Sequence, residues 1–220
     1  MNFELSSVSA AILAGGRATR FDGHDKSALV VEGRTIFDRQ ITELSQITSD
    51  LLLVGGDPRA VMRNGVRHVP DHVPGCGPLG GLHAALSEAR GTAVVVVACD
   101  MPFLSAPLLR HLLTLAGDID HIDRTDPIDT GDIADRPEVV VPRTKRGYHP
   151  LCAVYTRACL EPIARRLADG RLKVVDLFDD LRVRVVTAEA LAAFGDPDRL
   201  LANVNTPLEY RTIEANRIQS

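Results

Sequence analysis

The chain has no tryptophan, and its aromatic residues amount to only 4%. Such scarcity argues against an aromatic platform on which the bases of single-stranded RNA or DNA could stack. Neither sign of charge is in excess. The 25 Lys and Arg against 29 Asp and Glu leave a net charge of −4, so nothing points to a broad basic face for nucleic acid or an anionic membrane. Long apolar runs are missing too: stretches such as Ala93 to Cys99 fall far short of the roughly 20 residues a spanning helix requires. Met1 to Ser7 carries no basic segment of the signal-peptide kind. The four cysteines, Cys76, Cys99, Cys152 and Cys159, form no C-x-x-C pair. Cys99 and Cys152 sit inside apolar runs, where a thiol packs as a small hydrophobe. These absences together predict a reduced, cytoplasmic protein with no export or membrane segment.

What is present is an α/β pattern. At 220 residues with 45% apolar content, the chain can bury a sizeable core and lies near the upper end of what one α/β domain needs. One domain over 1–220 is expected. Val8 to Ala14 is a continuous apolar run stopped by Gly15 and Gly16, as suits a strand buried on both faces of a parallel sheet. Ala28 to Val31 is a short β-prone piece; Thr35 and Asp38 then resemble a capping box opening a helix with Phe37, Ile41 and Leu44 on one face. Leu51 to Val54 and the weaker Val66 to Val69 read as further strands. Pro70 to Gly81 is dense in proline and glycine and reads as a shaped loop before a helix carrying Leu82 and Leu86. Ala93 to Ala98 is the most strongly apolar strand; beyond its Cys99-Asp100-Met101-Pro102 exit, Ser105 can cap a helix carrying Leu108, Leu109, Leu112 and Leu115. This strand-helix alternation predicts a parallel sheet with right-handed crossovers.

From Gly117 to Glu138 the pattern dissolves into aspartates among turn formers. Started at Asp118, an EF-hand loop would need glycine at its sixth position and finds Asp123. The stretch 117–138 is therefore expected to be a solvated, mobile acidic insertion. A strand at Val139 to Val141, a basic turn with Arg143, Lys145 and Arg146, and a returning strand from Leu151 to Tyr155 follow. A helix over Ala158 to Ala168, a short helix over Val174 to Leu181 and a strand over Val183 to Val186 complete the sheet region.

The segment from Ala11 to Lys26, AILAGGRATRFDGHDK, carries the chemistry. It matches neither the Walker spacing nor the dinucleotide fingerprint. Its composition still suits phosphate: Gly15 and Gly16 admit close backbone N–H approach, while Arg17, Arg20 and Lys26 supply charge-assisted bonds. Asp100 lies just past the carboxyl end of a strand, where open α/β sheets gather ligands, and a carboxylate there can hold Mg²⁺. Asp71, before a Pro- and Gly-rich stretch, can equally be a turn residue. Near the end, Thr206, Pro207 and Glu209 have the pattern of a helix start, which leaves Asn203 and Asn205 as amides on the same side of an extended segment.

Taken together these residues resemble the molybdenum cofactor guanylyltransferase family of the nucleotidyltransferase superfamily. The matching blocks are Leu13-Ala14-Gly15-Gly16, Arg20, Asp25-Lys26, Pro70-Asp71, Gly77 to Gly81, Cys99 to Leu104, Pro150-Leu151 with Tyr155, and Asn203 to Pro207, in family order. The resemblance implies a three-layer, Rossmann-like nucleotidyltransferase fold with a mostly parallel sheet and a small antiparallel addition. It also implies an enzyme that moves GMP from GTP to the terminal phosphate of molybdopterin and releases pyrophosphate. In that comparison the backbone of Leu13, Ala14, Gly15 and Gly16 and the Gly77-Pro78-Leu79 stretch hold the nucleotide, with Asp71 touching it. Lys26 and Arg20 sit on the phosphates, and Asp100 binds Mg²⁺. Asn203 and Asn205 line the molybdopterin side, and Arg143, Lys145 and Arg146 are candidates for its phosphate. GTP and molybdopterin are the expected partners, with molybdenum-insertion and molybdoenzyme-maturation proteins beyond them. The chain departs from the family pattern where Arg20-Phe21-Asp22-Gly23 replaces Arg-Met-Gly-Gly, at Gly55 in place of Asn, and in the length of its acidic insertion. Two rival functions stay open: cytidylyl transfer or transfer to a sugar phosphate, and a nucleotide- or cofactor-binding chaperone without chemistry.

Overall fold

In the computed structural model the described residues are 7–14, 29–61, 65–117, 136–204 and 209. The phosphate loop with Gly15, Gly16, Arg20, Asp22 and Lys26, most of the acidic stretch, and the Asn205-to-Pro207 helix start lie outside them.

The architecture follows from which strands are apolar on both faces. Strand β1 (Val8–Leu13) is buried at every residue, as is β6 (Ala93–Ala98). Alternate side chains of each enter two separate cores: Ala10 and Ile12 with Val95 and Val97 on one face, Ala11 and Leu13 with Val94 and Val96 on the other. Each fully buried valine or leucine contributes about 1.5–3 kcal/mol of burial, so these two strands anchor the molecule. They pair in parallel, and β1 also pairs in parallel with β4 (Leu51–Val54), itself parallel to the edge strand β5 (Arg67–Val69).

Beyond β6 a single strand of the main order runs the opposite way. Strand β9 (Cys152–Thr156) is antiparallel to β6 and to β7 (Val139–Thr144), and β10 (Val183–Val186) runs parallel to β7. The order β10-β7-β9-β6-β1-β4-β5, with β8 (Gly147–Tyr148) folded back on β7, is a mostly parallel sheet with an antiparallel addition. Helices α1 (Ile36–Leu44) and α3 (Ala106–Ala116) cover one face; α2 (Gly77–Glu88) and α4 (Leu160–Ala168) cover the other. The three-layer fold expected from the sequence, with a mostly parallel sheet and a small antiparallel addition, is the fold observed.

Local signals hold at several boundaries. Thr35 Oγ1 accepts from the Asp38 N–H at 3.0 Å and donates to Asp38 Oδ2 at 2.6 Å, capping α1. Ser105 Oγ accepts from the Leu108 N–H at 3.5 Å to cap α3. Cys99, Cys152 and Cys159 are buried free thiols, and burial pushes the latter two up to about 12. The two described residues that flank the acidic stretch meet, Arg136 Nη1 donating to Gly117 O at 3.3 Å.

Other expectations need correction. Gly77 to Gly81 is the opening of α2 rather than loop, because Pro78 fits a first helical turn, which has no need of its missing N–H. Val174–Asp180 is a 3₁₀ segment, tighter than the helix expected. The β-prone piece expected at Ala28 to Val31 supplies β2 (Val30–Val31), whereas its hairpin partner β3 (Arg34–Thr35) and two short helices, α5 (Ala188–Leu191) and α6 (Pro197–Leu200), carry too few residues for periodicity to show them. No helix among the described residues is long and apolar enough to cross a membrane.

The amino edge of the sheet is tied by Asp50. Its carboxylate accepts from Ser9 Oγ at 2.6 Å, from the Arg90 N–H at 3.0 Å, and from Arg67 Nε and Nη2 at 3.0 and 2.8 Å. Ser9 Oγ in turn accepts from the Gly91 N–H at 2.9 Å, and a Cβ on Gly91 would stand 2.6 Å from Ser7 O, so the approach admits only glycine there. Burial raises the Asp50 carboxyl, but the Ser9, Arg90 and Arg67 hydrogen bonds outweigh it and hold the group below its ordinary 3.8. A depressed carboxylate stabilises the fold above its unfolded pKa and loses that contribution as pH falls through its folded value. Asp50→Asn is therefore expected to lose about 2–3 kcal/mol at pH 7. In urea unfolding, its deficit against wild type should shrink as pH falls below about 4; a deficit independent of pH would disprove the assignment.

Candidate active site

Parallel strands deliver their carboxyl ends to one edge, and the predicted site residues divide cleanly by whether they lie there. Strands β1, β4, β5, β6, β7 and β10 share a direction. Along their common edge stand, in order, the β7–β8 hairpin, Asp100 after β6, Ala14 after β1, Gly55-Gly56 after β4 and Asp71 after β5. At about 4.8 Å per strand, Asp71's strand is about 15 Å from that of Asp100, and β7 about 10 Å on the other side. That span suits an elongated ligand lying across the edge at the middle of the sheet.

The centre is built around β1 and β6. Ala14 N–H donates to Val54 O at 2.9 Å and Cys99 N–H to Leu13 O at 3.2 Å, so the exits of the three strands are locked to one another. Gly56 has φ +69°, and a Cβ there would stand 3.0 Å from Ala14 Cβ, so the backbone closes tightly against the end of β1. The opening of α2 returns over the same point, with the position of a Cβ on Gly81 only 3.6 Å from the Leu13 side chain. Gly77 and Pro78 line that opening, whereas Leu79 is fully buried in the core and offers a ligand only backbone. The Asp71 carboxylate accepts from the Val73 N–H at 3.1 Å, an Asx turn shaping the entry to α2.

Asp100 is 8% exposed. Its Oδ1 accepts from Asn203 Nδ2 at 2.9 Å, and its backbone oxygen accepts from the Val204 N–H at 2.8 Å. Asn203 is thus brought to the site by a C-terminal segment crossing beside Asp100, and its amide orients the carboxylate. That segment is seated by a small cluster of Val31, Ile36, Phe103, Ala202 and Val204. The Arg199 guanidinium lies 4.2 Å from the Phe103 ring centre and that of Arg39 lies 5.8 Å from it, and Glu32 pairs with both arginines at 3.1 Å.

On the other flank, Arg143 stacks on the Tyr148 ring at 5.1 Å, Arg146 Nε lies 4.0 Å from Asp198, and Lys145 is exposed. Sequence reasoning missed His149 in this group, although it directly precedes the Pro150-Leu151 pair. His149 Nε2 is 2.9 Å from Thr144 Oγ1, which also accepts from the Arg146 N–H at 3.2 Å. Tyr155, buried within β9, donates to Pro150 O at 2.8 Å and fixes the strand-to-strand connection.

Residues 10–185 match the MobA-like NTP transferase domain family. The chain belongs to that family. A molybdenum cofactor guanylyltransferase from Desulfosudis oleivorans is 35% identical over 212 residues, covering 96% of each chain. A probable molybdenum cofactor guanylyltransferase from Pelotomaculum thermopropionicum is 35% identical over 200 residues, 91% of this chain and 88% of the other. Among solved structures, the molybdopterin-guanine dinucleotide biosynthesis protein A from Archaeoglobus fulgidus superposes with a TM-score of 0.74 at 22% identity, covering 96% of this chain and all of its own. Membership of the MobA-like family makes the chain a nucleotidyltransferase.

The hairpin flank yields a titration test. Burial, and next the Arg146 charge, lower the pKa of His149 below its ordinary 6.5, with Asp198 acting the other way. A histidine depressed in the folded state costs stability as pH falls below its unfolded value, because the unfolded chain then binds the proton more readily. NMR titration should place the His149 midpoint below 6.5, and Arg146→Ala should move it upward. A downward or absent response would show that the hairpin is not arranged as described.

Proposed function

We propose that the protein transfers GMP from GTP to the terminal phosphate of molybdopterin, forming molybdopterin guanine dinucleotide. The observation that carries this is the position of Asp100, between the β1 exit that leads into the phosphate loop and the cationic β7–β8 hairpin. The names of the 35%-identical relatives give the substrates their identity. In this assignment 1–220 is one nucleotidyltransferase domain with 117–138 as an insertion, in keeping with the meeting of Gly117 and Arg136.

A molybdopterin phosphate oxygen forms a bond to the α-phosphorus of GTP while the bond from that phosphorus to the bridging oxygen breaks. Pyrophosphate leaves with the electron pair. A phosphate monoester is already anionic at neutral pH, so the chain's task is positioning and charge neutralisation rather than strong general-base work. Leu13, Ala14, Gly15 and Gly16, with Gly77, Pro78 and the backbone of Leu79, hold the nucleotide against the β1 and α2 exits. Asp71 shapes the same pocket. Lys26 and Arg20 bring cationic groups to the phosphates. Arg143, Lys145 and Arg146 receive the molybdopterin phosphate, with Asn205 beside it.

Asp100 fits Mg²⁺ of the substrate-assisted kind. Among the described residues no cluster of three His, Cys, Asp or Glu could form a protein cage. A single carboxylate oriented by an amide at a strand end is the donor set expected where water and nucleotide phosphates complete the shell. When bound, the ion would supply charge neutralisation on the phosphate oxygens.

Asp100→Ala and Lys26→Ala should each leave a folded protein with turnover reduced on the order of a hundred- to a thousandfold. Pyrophosphate release from each nucleoside triphosphate, with Mg²⁺ and molybdopterin, should be greatest with GTP. Preference for CTP would replace guanylyl by cytidylyl transfer, and GTP binding without pyrophosphate release would replace the enzyme by a carrier.

A further inference from the structure

Helix α1 holds a polar residue where its pattern calls for an apolar one. Ile36, Gln40 and Leu44 follow at intervals of four, one row of a helix face, and all three are buried, Gln40 at 1% exposure. Gln40 Nε2 donates to Ala98 O at 2.7 Å and to Met101 O at 3.0 Å. Both neighbours are carbonyls, so only the NH₂ end of the amide can face them, which settles its orientation. The same two residues close a turn, Met101 N–H lying 3.4 Å from Ala98 O, and Asp100 sits inside it. The other end of the amide gains nothing: Gln40 Oε1 is buried with no hydrogen-bond partner among the described residues. An apolar residue of equal length would avoid that penalty.

We propose that Gln40 is a positioning residue for Asp100, its amide clamping the Ala98-to-Met101 turn from beneath so that the carboxylate is held at the sheet edge to receive a divalent cation with the nucleotide phosphates. The role rests on the transfer site proposed above. Two separate parts of the chain then immobilise one carboxylate: Gln40 of α1 holds the turn's carbonyls, and the C-terminal segment holds Oδ1 through Asn203 and the backbone oxygen through Val204. Groups that orient a metal ligand commonly govern affinity by about 10–100-fold, and Gln40 does so here through backbone, without touching the ligand side chain.

Gln40→Met keeps the length and removes the donor. Mn²⁺ binding in the presence of GTP, followed by electron paramagnetic resonance, should weaken about 10–100-fold, while GTP binding in EDTA stays within about twofold of wild type. The Mg²⁺ concentration for half-maximal turnover should rise in parallel, with most of kcat recovered at saturating Mg²⁺. A purely structural amide would instead lower GTP binding with and without metal alike, and that result overturns the proposal, as does unchanged Mn²⁺ affinity. Gln40→Leu replaces the Met variant if the latter is unstable, and failure of both to fold also overturns it, since the amide would then serve the fold itself. Wild-type protein that binds no Mn²⁺ with GTP would bring down the site assignment and Gln40's role together. Equal binding by wild type and variant removes only the latter.

Discussion

The pairing of β6 with β1 is the contact on which the rest of the molecule depends. It runs residue for residue from Val8↔Ala93 to Leu13↔Ala98, both strands buried throughout. Because side chains alternate along a strand, a slip of one residue would exchange the two cores and move Asp100 relative to the β1 exit. The register therefore sets packing and site geometry at once. Leu13 and Ala98 end level and Cys99 N–H bridges back to Leu13 O, so the exit of β1 and the turn carrying Asp100 leave the sheet side by side.

The two edges of that sheet use polar groups differently. At the amino edge, Asp50 is surrounded by donors from Ser9, Arg67 and Arg90, so its charge is spent on joining β1, β4, β5 and the approach to β6. At the carboxyl edge, the Asn203 amide donates to Asp100 Oδ1 and so sets the direction of its carboxylate.

Much of this was legible in the residues. β4 and β6 are unbroken apolar runs and β1 is interrupted only by Ser9, and topology alone puts the Asp just past the most apolar of them at the carboxyl edge. Thr35 with Asp38 and Ser105 declared their helix starts because capping is local. What was not legible depended on contacts distant in sequence. Asn203 was read as facing a ligand, yet its partner stands 103 positions earlier. Gln40 left a trace, an amide in the Ile36–Leu44 row, but its acceptors lie 58 and 61 residues on. Gly77 to Gly81 misled for another reason: proline and glycine mark loops on average, but Pro78 in a first turn is compatible with helix.

The site's floor and its side wall differ in strength. The floor, from β1 to the Gln40-braced turn, rests on buried apolar surface and buried hydrogen bonds. The wall is the 202–204 segment, and its seat is the Phe103 ring between Arg39 and Arg199, with Glu32 bridging the two guanidinium groups. Arg199 is 38% exposed and Arg39 23%, and ion pairs of such exposure contribute about 1 kcal/mol or less each. Segments held this way open at lower free energy than core strands do. In the reaction proposed above, a bulky acceptor enters and its still bulkier product leaves across this edge. Strong contacts beneath the proposed site and weak ones beside it satisfy both requirements, since opening the wall releases Asn203 and Val204 from Asp100 while Gln40 keeps its hold on the turn that carries the carboxylate.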